Sequence, residues 1–351
     1  RAKLQWDDPN FSLHGFYREG HFHWGNEGDF FGLYRKAYYG PNIDIYDAAV
    51  PLGVEWAGKG ALSGLKVVGG PQIYWGANPT VIAKYSHSLG SGLTATVMHQ
   101  EDIASQAEVS TSRAIPEPLD RRSSLHLSHE GGSLTSEAGV LWSGSRKVGR
   151  TFFSQRDAAE GQGYAGTNRH YLTDEIVATD ALGAKAKVTY IGSPVSAYAQ
   201  GMYKGLVADG GPNETKNFSG WSLREDGRGN QVSAMGGLAF GLGSLQIAPH
   251  ALYQKPLIGP IAGTDGRVTA DGLSYYRPIA SRNVLSDPFA VLGNRETLGL
   301  EMLLSYDPTP GTWMWEWDNV QREDAPFAGS LNVVYRMQPT SRHALVEDGR
   351  P

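Results

Sequence analysis

Apolar and polar residues alternate with a period of two along most of this chain, and that period admits strands rather than helices. Leu298, Leu300, Met302, Leu304 and Tyr306 alternate with Thr297, Gly299, Glu301, Leu303 and Ser305. Leu245, Ile247, Pro249, Ala251 and Tyr253 oppose Gln246, Ala248, His250, Leu252 and Gln254, and Ala184, Ala186, Val188 and Tyr190 oppose Lys185, Lys187 and Thr189. Earlier, Leu65, Val67, Pro71, Ile73 and Trp75 oppose Lys66, Val68, Gln72 and Tyr74. Successive strand side chains point to opposite faces, so each segment has one oily side and one wetter side. A helix would spread the same residues around its circumference.

The spacing of the strands is as informative as their pattern. About fourteen are expected, near 11–24, 50–58, 64–76, 79–89, 92–102, 123–130, 133–143, 183–192, 195–207, 230–242, 244–256, 295–307, 312–319 and 327–337. Minimal turns at Gly90-Ser91, Gly131-Gly132, Gly192-Ser193-Pro194, Gly243 and Pro308–Gly311 supply the backbone angles of tight hairpins. Between these hairpins run long polar connections, near 25–49, 103–122, 144–182, 208–229 and 257–294. A compact soluble domain rarely carries several irregular loops of ~20–38 residues. A transmembrane barrel does so by construction, with short turns on one rim and long loops on the other.

In this architecture the sequence resembles bacterial outer-membrane β-barrels of the porin type, over about residues 10–338. The resemblance implies a closed antiparallel up-and-down barrel of about 14 strands (range 12–16) in the outer membrane, with short periplasmic turns and long extracellular loops. It divides the chain into a periplasmic lead-in at 1–10, the barrel at 11–337 and a periplasmic tail at 338–351. An even strand number puts both termini on the short-turn side. Lipid and lipopolysaccharide are then the surroundings, with polar solutes or glycans inside, and an upstream soluble domain or a periplasmic partner as further company. The first residues, RAKLQWDDPN, lack a signal peptide's apolar core, so a leader has been removed or this is one piece of a longer chain.

Composition narrows the alternatives. The longest apolar run, Met235–Gly243, contains four glycines and is far too short for a membrane helix. A net charge of −5 excludes the basic surface of a nucleic-acid binder, and the absence of cysteine excludes disulfides, thiolate metal sites and cysteine nucleophiles. Period two alone also fits a soluble sandwich with its apolar rows turned inward, so a soluble lectin or glycoside hydrolase stays open, as does a barrel that anchors a larger carbohydrate-active protein.

The wetter faces carry Lys66, Lys84, Lys185, Lys187, Lys204, His250, Glu301 and Glu316, which are expected to line the lumen. The lysines would draw anions and the two glutamates oppose them, so strong ion selectivity is not expected. The loops 144–182 and 257–294 are the expected constrictions. Trp75, Tyr190, Tyr253, Tyr306 and Tyr335 fall near strand ends, as an interfacial aromatic girdle requires, and Trp313, Trp315 and Trp317 form a lipid-facing stripe.

Competing chemistry is thin. Glu19, His21 and His23 share a strand face within a run that also holds His14, Glu27 and Asp29, a competent donor set for Zn²⁺ or Ni²⁺ that lacks a fourth ligand at defined spacing. Glu225, Asp226 and Asn230, or Asp265 and Asp271, could hold structural Ca²⁺ but fit no EF-hand spacing. Gly161, Gly163 and Gly166 match G-x-G-x-x-G inside a loop rather than at a strand-to-helix turn. Glu301 and Glu316 could face each other across the Pro308–Gly311 hairpin as a hydrolytic pair, although no other catalytic arrangement accompanies them. The function expected is passage of polar solutes, saccharides included, or export of a polymer, through a lumen narrowed by loops.

Overall fold

The computed structural model describes residues 2–17, 28–34, 51–73, 77–105, 119–149, 151–154, 172–210, 229–257, 296–308 and 327–337. These form an all-β structure with strands β1 (Ala2–Asp7), β2 (Phe11–Tyr17), β3 (Leu52–Gly58), β4 (Leu65–Gln72), β5 (Thr80–Gly90), β6 (Leu93–Asp102), β7 (Arg121–Gly131), β8 (Leu134–Ser143), β9 (Thr151–Ser154), β10 (Leu172–Glu175), β11 (Leu182–Tyr190), β12 (Val195–Lys204), β13 (Gln231–Leu242), β14 (Leu245–Pro256), β15 (Thr297–Tyr306) and β16 (Gly329–Met337). Fourteen of them make one sheet in which each strand is antiparallel to the next in sequence, while β9 and β10 pair separately inside the β8–β11 connection.

Turn chemistry sets the register. Between β5 and β6 the two turn residues, Ser91 (φ 50°) and Gly92 (φ 74°), both take positive φ, the requirement of a hairpin turn whose twist matches that of its strands. A Cβ on Gly92 would lie 2.3 Å from the Glu130 carbonyl oxygen of β7, so glycine is required there for space as well as for angle. Between β3 and β4, Leu52 pairs with Gln72 but Val54 with Gly69, so two residues oppose Gly53 alone. Such a bulge shifts the alternation by one. Ile73, expected on the oily face, is fully buried in the inner cluster instead.

The short connections 8–10, 59–64, 91–92, 132–133, 191–194 and 243–244 share one rim, and 18–51, 73–79, 103–120, 144–181, 205–230 and 257–296 share the other. Two expectations change here. Ala2–Asp7, taken for a lead-in, is a strand paired along its length with β2. Tyr306 pairs with Gly329, so β15 lies between β14 and β16, and the strand expected at 312–319 lies outside the described residues. The connection between β15 and β16 runs over 307–328 from the short-turn rim, and the expected Pro308–Gly311 hairpin lies outside the described residues beyond Pro308. Finally, Ala2 pairs with Tyr17 and Met337 with Leu298, which puts both ends of the sheet on the rim of the long connections, not that of the short turns.

The two faces of the sheet have reversed polarity relative to a soluble protein. More than twenty large apolar strand residues are exposed, among them Leu52, Val97, Val140, Val188, Val232, Leu300 and Val333, while Lys84, Arg122, Lys185, Lys204, His250 and Glu301 are buried. In water each such apolar side chain would forgo on the order of 1 kcal/mol of burial. Their sum exceeds the ~5–15 kcal/mol by which folded proteins are stable. A hydrocarbon surround removes that penalty, and the soluble reading, which needs these rows turned inward, falls.

Candidate functional site: the constricted interior

The sheet curls around its polar face, and a short inserted segment shows how tightly. Residues 28–34, within the long β2–β3 connection, bury Phe30, Phe31, Leu33 and Tyr34 against Phe16 of β2, Val68 of β4, Ile82 of β5, Met98 of β6 and Leu141 of β8. In a flat sheet β2 and β8 lie six strand spacings apart, ~29 Å, which one seven-residue segment does not bridge. The wall is therefore concave, and the segment is a wedge inside it.

Local chemistry makes the wedge a defined turn. Asp29 is buried, and its two carboxylate oxygens accept hydrogen bonds from the backbone amides of Leu33 (2.7 Å) and Tyr34 (2.9 Å). Phe30 stacks on His126 of β7 with ring centroids 4.5 Å apart, and the Lys185 ammonium of β11 lies 4.2 Å from the centroid of the Phe30 ring. Gly139 of β8 leaves room for both phenylalanines, since a Cβ there would come within 2.8 Å of Phe30 and 3.0 Å of Phe31. Of the expected constrictions, 257–294 lies outside the described residues except for Leu257, and 144–182 is described at 144–149, 151–154 and 172–182, where it forms the β9–β10 pair at the long-connection rim. The wedge comes from a loop read as merely polar, and its signal in the sequence was the apolar run Phe30, Phe31, Leu33 and Tyr34 between glycines.

Around the wedge the inner face carries charge of both signs. Lys66 and Lys84 are directly paired across β4 and β5, and Lys185 and Lys187 follow one another on the inner face of β11. Lys187 pairs across strands with Glu137 and its ammonium lies 5.8 Å from the Tyr198 ring centroid. His250 and Glu301 are direct cross-strand neighbours on β14 and β15. His250 Nδ1 is 2.9 Å from the Tyr198 hydroxyl, and Glu301 accepts a 2.7 Å hydrogen bond from the Asn332 side-chain amide of β16. Thus Lys66, Lys84, Lys185, Lys187, Lys204, His250 and Glu301 all lie on the polar inner face, whereas Glu316 lies outside the described residues.

A collar of polar side chains crowns the interior at the long-connection rim. Asp102 accepts from the Asn78 side chain (3.2 Å), from Gln100 (3.4 Å) and from the Asp120 amide (3.0 Å). Asp120 in turn holds Arg122 at 2.7 Å and the Gly144 amide at 3.2 Å. Glu55, Asp102, Arg122, His126 and Glu137 were not singled out from the sequence, although each falls on the inward phase of its strand.

On the outer face Tyr190 and Tyr306 lie at the short-turn rim and Tyr253 and Tyr335 toward the other, all exposed. Trp6, Phe11 and Trp56 add a contiguous aromatic group at the short-turn rim, with centroids 5.7 and 6.3 Å apart. Trp75, Trp313, Trp315 and Trp317 lie outside the described residues.

Of the run that holds the candidate metal donors, only neighbours of Glu19, His21 and His23 can be followed. His14 Nδ1 is 3.3 Å from Glu55, Asp29 is committed to the wedge amides, and Glu19, His21, His23 and Glu27 lie outside the described residues. Among the described residues no three such side chains converge. Of the calcium candidates, only Asn230 is described.

An up-and-down sheet that is oily outside and ionisable inside is the architecture of an outer-membrane, porin-like β-barrel. No family model matches the chain and no curated protein matches it. Among solved structures it is similar to Pseudomonas aeruginosa OccK2 (OpdF) in complex with glucuronate, at 10% identity and a TM-score of 0.40 over 96% of this chain and 74% of that one. Acinetobacter baumannii OccAB1 shows 11% identity and a TM-score of 0.43, covering 99% of this chain and 73% of that one. A BenF-like porin from Pseudomonas fluorescens Pf-5 shows 10% identity and a TM-score of 0.30, with 96% and 89% covered.

Proposed function

We propose that the chain closes into a channel of the bacterial outer membrane that passes small polar solutes, saccharides among them, along the polar part of its inner wall. One observation carries this reading: charged and hydrogen-bonding side chains are gathered inside while the oily rows face out. Unpaired strand edges are not viable in hydrocarbon, and β1 and β16 each have one neighbour among the described residues, so joining these two ends is the expected route to closure. Lysines and carboxylates interleave along the inner wall, which supports weak rather than strong ion selectivity.

Purified protein in planar bilayers is expected to give discrete conductance steps, and protein that inserts yet never conducts would sink the channel. That outcome would favour a second reading, a barrel serving as a membrane anchor, which the burial of the wedge and of Lys204, Gln231 and Gln254 also suits. Export of a polymer would need a wide, open lumen, and a wedge packed against the inner wall makes it the weaker form of the proposal.

A further inference from the structure

At the long-connection rim, on the outward face, the oily band ends in a cluster of charge. Glu101 of β6 and Arg121 of β7 are direct cross-strand partners. Arg121 grips the carboxylate through Nε at 2.5 Å and Nη2 at 2.9 Å. Arg146, just beyond β8, reaches the same carboxylate with Nη2 at 2.6 Å and also donates to the Asp102 carbonyl at 3.0 Å. His99 stands beside them, 3.7 Å from Glu101 and 2.9 Å from Ser123. Next to the cluster the outward strips carry Trp142, and toward the middle of the wall Val97, Leu125, Leu127 and Val140, all exposed.

We propose that this cluster binds the phosphate of a membrane lipid headgroup. Two guanidinium charges against one carboxylate leave one positive charge. Glu101 holds both guanidinium groups in place, so the entropy of ordering two long side chains is spent before a ligand arrives. Arg121 Nη1, with Arg146 Nε and Nη1, has no second carboxylate among the described residues, and both side chains remain open to the surroundings, 44% and 31% exposed. Guanidinium forks match phosphate oxygens in geometry as well as charge. The level is also right: the cluster begins where apolar side chains stop and an interfacial Trp stands, which is headgroup depth in a bilayer. A structural ion pair tying Arg146 to the rim would need no such depth and no spare donors.

The inference rests on the membrane reading but not on conduction. Wild type, Arg121→Ala/Arg146→Ala and, as a control cation at the same rim, Lys255→Gln would be purified in neutral detergent. Native mass spectrometry and thermal shift would follow added diphosphorylated lipid A, phosphatidylglycerol or inorganic phosphate. Losing charge-assisted hydrogen bonds should weaken lipid binding about tenfold or more in the double variant, with Lys255→Gln unchanged. Preference for lipid A would assign the site to the outer leaflet, and equal binding of phosphatidylglycerol would assign it to phospholipid. Should the double variant fail to assemble, Arg121→Lys/Arg146→Lys keeps the charge, loses the fork and should bind at intermediate strength. Equal lipid retention by wild type and double variant would overturn the proposal, as would inorganic phosphate binding as tightly as lipid. Either result in protein that still inserts and conducts would leave the channel standing.

Discussion

Across β4–β8 the inner wall meets the wedge with Val68, Ile82, Met98 and Leu141, four apolar side chains that together with Phe30, Phe31, Leu33 and Tyr34 form a protein-like core. Across β12–β15 the same inward phase presents Gln200, Lys204, Gln231, Ser233, Gln254, Thr297 and Glu301, with apolar contacts confined to the small groups Tyr198–Met235–Leu252 and Ala239–Ala248–Leu303. Both walls obey one backbone rule, alternation. They differ in what the loop above supplies, an oily insert on one side and none among the described residues on the other. One half of a barrel interior can therefore be filled by hydrophobic packing against an insert while the other is lined mainly by polar side chains.

The sharpest break of this contrast is truncation in the wedge. Phe31→Ala should cost roughly 3–5 kcal/mol, read by denaturant unfolding in micelles, and should raise single-channel conductance. Gln254→Ala on the polar wall should cost far less, and equal losses at the two positions would abolish the distinction. Next in size is the contrast between inside and outside. Val140→Arg places a charge on the oily face and should cost roughly 2–4 kcal/mol near mid-membrane, seen as loss of assembled, heat-modifiable protein. Unimpaired assembly would contradict the lipid-facing assignment.

Smaller again is Glu301→Gln. Replacing the carboxylate weakens the hydrogen bond to Asn332 and should cost roughly 1–3 kcal/mol. The reversal potential under a salt gradient should shift toward anions, whereas Lys204→Met should shift it toward cations. Identical shifts from both would show that the polar wall does not face the permeating ions.

Alternation made the wall legible in advance. Lys185, Lys187, His250 and Glu301 stand on the face their phase dictates because a pleated strand offers no other. Ile73 escaped that logic because one extra residue opposite Gly53 inverts the phase, and the local sign of that bulge, Gly69-Gly70-Pro71, was read as part of a regular strand. The N-terminal edge was misjudged for a related reason. AKLQWD alternates too briefly to declare itself a strand, yet it pairs along its whole length with β2. The wedge was hidden because period analysis searches for repeats, and GDFFGLY is held by a carboxylate cap and ring stacking, neither of which is periodic.

The finest test lies where the two walls meet, at Lys185. Its ammonium sits over the Phe30 ring while its strand carries the inner face onward toward β12. A cation over an aromatic face contributes ~0.5–2 kcal/mol, more as water is excluded. Lys185→Met keeps most of the volume and removes the charge, so the wedge should stay seated but loosen. Stability should fall by about 1 kcal/mol or less, and the clearer sign should be added flicker in single-channel records at unchanged mean conductance. Lys185→Arg, which retains a cation able to stack on Phe30, should restore quiet records. If both variants flickered alike, packing volume rather than charge would be what seats the wedge, and the boundary between the two walls would lie elsewhere.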